Sequence, residues 1–288
     1  MQTSRPLDAP HDDATTPPGV SLTLPARVLL ATFGVLTALA VVALLGGATR
    51  TDEAFAWTIQ PPLAAAFLGA GYASGCVLVL LTLRAGTWVQ ARWPLLTILV
   101  FTVLTLVATL LHLDRFHLPG DTALATTAAW FWLAVYVVVP VGMAAVLVHG
   151  ERTSATPRTG ARRPPRWFRV SLLVQGLVLG VLGVCLFLGV EGVVAAWHWD
   201  LTPLVARVTA AWLVSFAVAA LMAVREDPRL LGPAGAGYLV FGAAEILAAV
   251  LHRGDLDGGP ATAAYHLMAG WVALTGAAAV TLSRRHAR

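Results

Sequence analysis

Eight separate stretches of about twenty nearly unbroken apolar residues constrain this chain more than any other feature: 27–49, 61–83, 93–112, 124–148, 169–190, 203–224, 234–252 and 261–282. A bilayer core about 30 Å thick is crossed by about 20 helical residues rising 1.5 Å each. Inside lipid a backbone must satisfy its own hydrogen bonds, and a helix does so within one segment. The pattern therefore predicts an all-α, polytopic integral membrane protein with eight transmembrane helices. The charge content agrees. Only 12% of the 288 residues are charged and mean hydropathy is +0.76. An ordinary soluble domain is about 25% charged. Too little polar surface remains here to cover a fold in water.

The connections between the runs set the orientation. All 19 basic residues are arginine, and neither lysine nor asparagine occurs, a usage we read as high-GC codon bias. With the N-terminus inside, 15 arginines fall on the inner side and three, Arg50, Arg115 and Arg253, on the outer side. Arg207 lies within a span. Cytoplasmic loops carry the excess of positive charge. Both termini and the stretch 149–168 are thus expected in the cytoplasm of a bacterial-type inner membrane. The basic balance, pI near 9.7, is then a topology and anionic-lipid signal, not a nucleic-acid one. Aromatic residues cluster at the expected boundaries: Phe55, Trp57, Phe116, Trp130, Trp132, Trp197 and Trp199 outside, and Trp88, Trp93 and Trp167 inside. Interfacial belts have this composition.

Five segments follow. Residues 1–26, rich in Pro, Thr and Asp, read as a disordered cytoplasmic tail. The first membrane unit is 27–148, an Arg/Pro-rich linker spans 149–168, the second unit is 169–282, and 283–288 is a short basic tail. Cys76 and Cys185 lie in separate spans and suggest neither a disulfide framework nor a CxxC metal motif.

The two units echo each other. At a shift of 142 residues, Arg27 falls on Arg169, Gly34 on Gly176, Gly47 on Gly189, Phe55 on Trp197, Trp57 on Trp199 and Pro61 on Pro203. At 140, Leu111-His112 falls on Leu251-His252. The last helices match near 135, where Trp130 meets Tyr265. Each unit has an even number of spans, so both insert in the same sense. The expectation is two parallel four-helix repeats related by an axis along the membrane normal.

Ionisable groups inside spans are functional candidates by default, since each costs about 2.5–3.5 kcal/mol or more. Arg207 and Glu245 qualify, at about 6 Å and 10 Å below the outer helix ends. A buried Arg207–Glu245 pair is the expected arrangement, either as a structural bridge or as a ligand- or proton-handling site. Their first-unit counterparts are Ala65 and Thr105. His112 and His252 close matched helices, and His266 should lie at a depth near that of Arg207. Thr105 and Glu245 each sit seven residues before a terminal histidine, on one helix face. Thr102 and Thr109 extend that face. His117, His198, Glu191, Asp200, Asp114, Asp121, Asp255 and Asp257 add polar groups outside, and Trp199 borders them.

Three readings of the histidines compete. They are solvated interfacial rings, or part of a small-molecule or proton pocket open to the outside, or ligands, with His112 and His252 as axial partners of a b-type haem. No tight metal motif is present. GAGYASG at 69–75 and GPAGAGY at 232–238 lack a preceding strand and are not phosphate loops. The leading expectation is a non-enzymatic membrane protein that binds or moves a small solute or proton in the outer half of the membrane, through Arg207, Glu245, His266, His252 and His112. The alternatives are a redox protein holding haem or quinone, and a structural or assembly subunit. No cofactor and no oligomeric state is favoured.

Overall fold

The computed structural model describes residues 20–118, 122–153 and 162–287. Residues 1–19 of the expected tail, 154–161 of the linker and Asp121 lie outside them. Among the described residues there is no strand, only two isolated bridges, Ser21 with Thr87 and Trp57 with Phe116. Eight helices are long and apolar enough to cross a membrane. They are α1 (Leu24–Val41, continued by a π-helical turn, Val42–Gly46), α2 (Pro62–Ala85), α3 (Trp88–Leu111), α4 (Ala123–Thr153), α5 (Arg166–Leu188), α6 (Pro203–Ala223), α7 (Gly232–Leu251) and α8 (Pro260–Ala287). α4 and α5 both reach into the arginine-rich stretch read as linker.

Local chemistry sets the helix ends. α2 and α6 open on proline in the first turn, where its missing N–H has no helical partner to lose. Thr202 also caps α6, its hydroxyl accepting from Val205 N at 3.3 Å. α2 and α5 stop at Gly86 and Gly189, with φ of +67° and +70°, a left-handed turn that glycine enters without strain.

Successive helices alternate in direction, so the molecule has two ends. α1, α3, α5 and α7 start at one, the terminal end, which gathers Arg27, Arg84 and Arg92. They finish at the other, the histidine end, which carries His112, His198 and His252. The strongest helix contacts join α7 with α8, α5 with α6, α2 with α7, α1 with α2, α3 with α6, and α3 with α4. Among the inner helices α2, α3, α6 and α7 the dominant contacts run between the two groups of four rather than within them. The principal inner partner of α2 is α7, and that of α6 is α3. α2 and α6 lie at the centre, each with 72% of its apolar window buried, against 28% for α1 and α4.

The shared core is aromatic. Phe101 of α3 stacks on Trp212 of α6 at 3.8 Å, and Tyr72 of α2 meets the same indole edge-on at 5.2 Å. Outward, Val28, Val35 and Leu39 of α1, Val137, Val138 and Val141 of α4, Leu177 and Val181 of α5, and Leu267 and Leu274 of α8 are exposed. An exposed apolar surface of this extent is what a lipid-facing helix bundle presents.

The aromatic belts differ from the expectation. Trp57, Trp199, Trp88, Phe55, Phe116 and Trp132 are 2–7% exposed, while Trp130 and Trp167 are 57% and 60% exposed. Most boundary aromatics therefore fold inward and plug the bundle. Trp57 packs on Phe55, Phe116 and Trp132, and Trp199 on Phe67, His198 and Tyr265.

Candidate functional site

The sequence-selected polar residues gather at the histidine end, but they divide into two clusters. Arg207 and Glu245 do not pair. Arg207, on the first turns of α6, donates from Nη1 to His112 Nε2 at 2.7 Å and to the Pro203 carbonyl at 3.3 Å. Glu245, near the end of α7, is 1% exposed and accepts from the Tyr265 hydroxyl, 2.5 Å from Oε2. The pairing failed because α6 packs against α3, whose last residue is followed at once by His112. α7 instead packs against α8, which brings Tyr265.

The Arg207–His112 contact fastens α6 to the end of α3. Arg207 can only donate, so His112 Nε2 must be the neutral, accepting nitrogen. Partial burial first, and the neighbouring Arg207 charge second, pull His112 below its ordinary value. The folded state thus disfavours the imidazolium. The contribution is complete above the ordinary imidazole value of about 6.5 and is lost as pH falls through the lower, folded value. Acidification below about 6.5 should lower the thermal midpoint of wild type more than that of His112→Gln, whose amide still accepts from Arg207 without titrating. Parallel pH profiles would discard the contact as a titrating fastener. The same bond bears on haem: a ring nitrogen an axial ligand needs is occupied by Arg207.

A second tie joins the same end. Asp255, in the 3-10 turn Arg253–Asp255 after α7, accepts from Leu63 N at 2.9 Å through Oδ2. A carboxylate at the start of α2 meets unpaired N–H groups and the positive end of the helix dipole. Sequence reasoning placed Asp255 outside without this role.

The remaining candidates scatter. Thr105, Thr102 and Thr109 are buried at 0–1% exposure, and Thr109 accepts from Trp132 Nε1 at 3.1 Å, so the polar stripe of α3 faces α4. His252 is partly exposed, Glu191 is exposed, and His266 is exposed with Nδ1 2.7 Å from the Thr262 carbonyl. Trp199 is buried with an unpartnered Nε1. Among the described residues no three His, Cys, Asp or Glu side chains gather as a metal site requires.

Two residues of the Glu245 cluster escaped sequence reasoning as site members. Tyr265 carried a signal, a lone tyrosine a few residues into α8 beside His266. His198, counted only as an outer histidine, is 5% exposed and stacks on the Tyr265 ring at 4.3 Å. Burial, with the nearby His266 adding to it, pushes the His198 imidazole down to about 3.

A cleft lies at the opposite end. It opens between α2, α3, α6 and α7 near the terminal end, with some 920 Å³ of empty space, open solvent at its mouth included. Its walls are Phe33, Phe101, Trp212, Phe216 and Tyr238, with Ser74, Gln90, Thr97 and Ser215 as polar points and Glu226 at its rim. Pro94 sits in α3 beside it and leaves the Gln90 carbonyl without its helical donor. Glu226 is engaged by the Trp93 indole and lies 3.9 Å from Arg92, whose guanidinium covers the Trp93 ring at 4.2 Å. Burial nonetheless raises the Glu226 carboxyl above its usual range, against the opposing pull of the Asp227 amide and Arg92. Two further cavities lie between α1, α2 and α4 and among α5 to α8. None of the three is lined by Arg207, Glu245, His112 or His252.

Comparison with protein-family models, with curated proteins and with solved structures finds no match to this chain.

Proposed function

We propose that this multi-pass membrane protein binds and moves a small solute between two parallel four-helix halves. The carrying observation is the asymmetry of the interface between them. That interface is open at the terminal end, as the cleft between α2, α3, α6 and α7, and tied at the histidine end by Arg207–His112 and Asp255–Leu63. An interface open on one side and closed on the other is what alternating access between repeats requires.

The reciprocal packing supports the repeat. α2 lies on α7 as α6 lies on α3, and α1 on α2 as α5 on α6. Matched loops also make matched bonds: His117 N donates to the Ala56 carbonyl at 3.0 Å, and Asp257 N to the His198 carbonyl at 3.4 Å. These pairs stand 140 and 142 residues apart, the shifts read from the sequence. The arginine excess supports cytoplasmic termini, an inner-membrane location and contact with anionic lipids at that face, so the cleft opens to the cytoplasm. Its lining suits a compact amphiphile with an aromatic or apolar body and one or two hydrogen-bonding groups. Glu226 is already engaged and does not require a cation.

Ser74→Cys and Ser215→Cys, each in a Cys76→Ala/Cys185→Ala background, test this. A membrane-impermeant thiol reagent should label both in inside-out vesicles and neither in right-side-out ones. Ala65→Cys, deep in α2 near the histidine end, should resist from both sides. Equal labelling of all three, or none of any, would remove the one-sided cleft.

A further inference from the structure

Beyond the cleft, the buried chemistry of the histidine end carries a distinct assignment. Glu245 is 1% exposed on α7, and among the described residues its one side-chain hydrogen bond is to Tyr265. Its Oε1 has no partner among the described residues. Among the described residues no cation pairs with it. α8 offers Tyr265 and, on the following residue, the exposed His266; the 189–202 loop offers His198. α2, the other helix packed on α7, has Arg84 as its sole charged residue, at the far end. Arg207 is held by His112. A carboxylate left like this would be an uncompensated charge in a low-dielectric interior, which proteins avoid by keeping the acid neutral. A neutral acid needs an acceptor for its own O–H, and one orphan is available in the cluster. His198 Nε2 is also buried without a partner, and the His198 ring lies on the same Tyr265 that binds Glu245.

We infer that Glu245, Tyr265 and His198 form a proton-binding site in the histidine half of the membrane, with Glu245 as the carrier and His198 as its exchange partner. The proton leaves Glu245 Oε1 and the electron pair stays on the carboxylate, where Tyr265 continues to donate to Oε2. His198 Nε2, which also lacks a partner and so stands beyond direct hydrogen-bond distance of Oε1, takes the proton through an intervening water and becomes a transient imidazolium. It then yields the proton toward His266 and the solvent. His198 suits this step because its buried ring is neutral at rest and releases what it accepts. The Tyr265–His266 ring distance of 5.5 Å brings the exposed histidine to the edge of the cluster. The assignment stands whether or not the cleft carries a solute.

Infrared spectroscopy of the full chain reconstituted in lipid reads this directly. Wild type at neutral pH should show a carboxylic-acid C=O band that Glu245→Gln removes; glutamine keeps the shape and still accepts from Tyr265. Tyr265→Phe should keep the band but move it to higher frequency, as a carbonyl does when it loses a donor. Transfer to deuterated buffer should shift the wild-type band, and His198→Ala should slow that exchange by tenfold or more. A spectrum with no acid band lost in Glu245→Gln would show an ionised carboxylate and overturn the site. An exchange rate unchanged in His198→Ala would overturn the role of His198 and with it the proposed exchange step.

Discussion

Trp212→Ala should lower stability by about 3 kcal/mol, the lower end of the range for removing a buried aromatic, measured as denaturant unfolding in detergent or lipid. Trp212 is 6% exposed at the centre of the molecule. It stacks on Phe101 at 3.8 Å with planes 28° apart, and meets Tyr72 and Phe216 at 5.2 Å and 5.9 Å. It joins α6 to α2 and α3. The indole Nε1 has no partner, so its removal strands no polar group. The expected loss is therefore packing: dispersion contacts forfeited and a void left behind. In a bilayer the reference state is lipid, which is as apolar as the core, so the transfer term that enlarges such losses in water is small. Trp212→Phe should recover most of the effect. Because Trp212 also walls the cleft, the alanine form should admit larger solutes there. An alanine variant as stable as wild type would mean that the two halves are held together elsewhere.

Gly276→Val should be worse, preventing a monodisperse folded protein from being recovered. A Cβ on Gly276 of α8 would sit 2.3 Å from Leu239 N, 2.6 Å from the Gly235 carbonyl and 2.9 Å from Leu239 Cα. All three are backbone atoms of α7, and a helix backbone cannot turn aside as a side chain can. The facing glycines repeat the pattern: a Cβ on Gly242 would meet the Ala269 carbonyl at 2.4 Å. Close approach of this kind is how membrane helices associate without a hydrophobic drive between them. α7 and α8 would have to separate along their length, well beyond the 1–3 kcal/mol typical of overpacking. Gly270→Ala is the control. It lies on the same helix with nothing within 4 Å of the added carbon, and should be neutral. Size-exclusion elution and thermal midpoints of the two variants make the comparison.

Much was legible before any coordinates. The eight apolar runs matched eight helices because a lipid-spanning segment has one economical backbone solution. Their ends were readable to within a few residues where proline or glycine marked them, as at Pro203 and Gly189. The end that gathers the histidines was readable too, since alternation of direction follows from counting spans. Trp57 and Trp199, which align at a shift of 142 residues, are both buried at the histidine end.

The partners within the site were not legible. Arg207 and Glu245 share a depth and opposite charge, and pairing them was the reasonable inference from one dimension. Depth is not azimuth, however. Which helix faces which was decided by helix packing: α6 found α3 and α7 found α8, so the arginine met a neutral histidine and the glutamate a tyrosine. The cleft was hidden for a similar reason. Its walls are ordinary membrane residues such as Phe101, Ser215 and Tyr238, and a cavity is made where backbones diverge, which no single residue records. By itself the sequence determined the helical class and the number and alternation of the long apolar helices, since these rest on hydropathy summed along the chain. The tertiary structure alone decided the contacts among the inner helices, and so which buried charges have partners and where a ligand has room. Those depend on the rotation and spacing of helices whose small and aromatic residues interlock only in three dimensions.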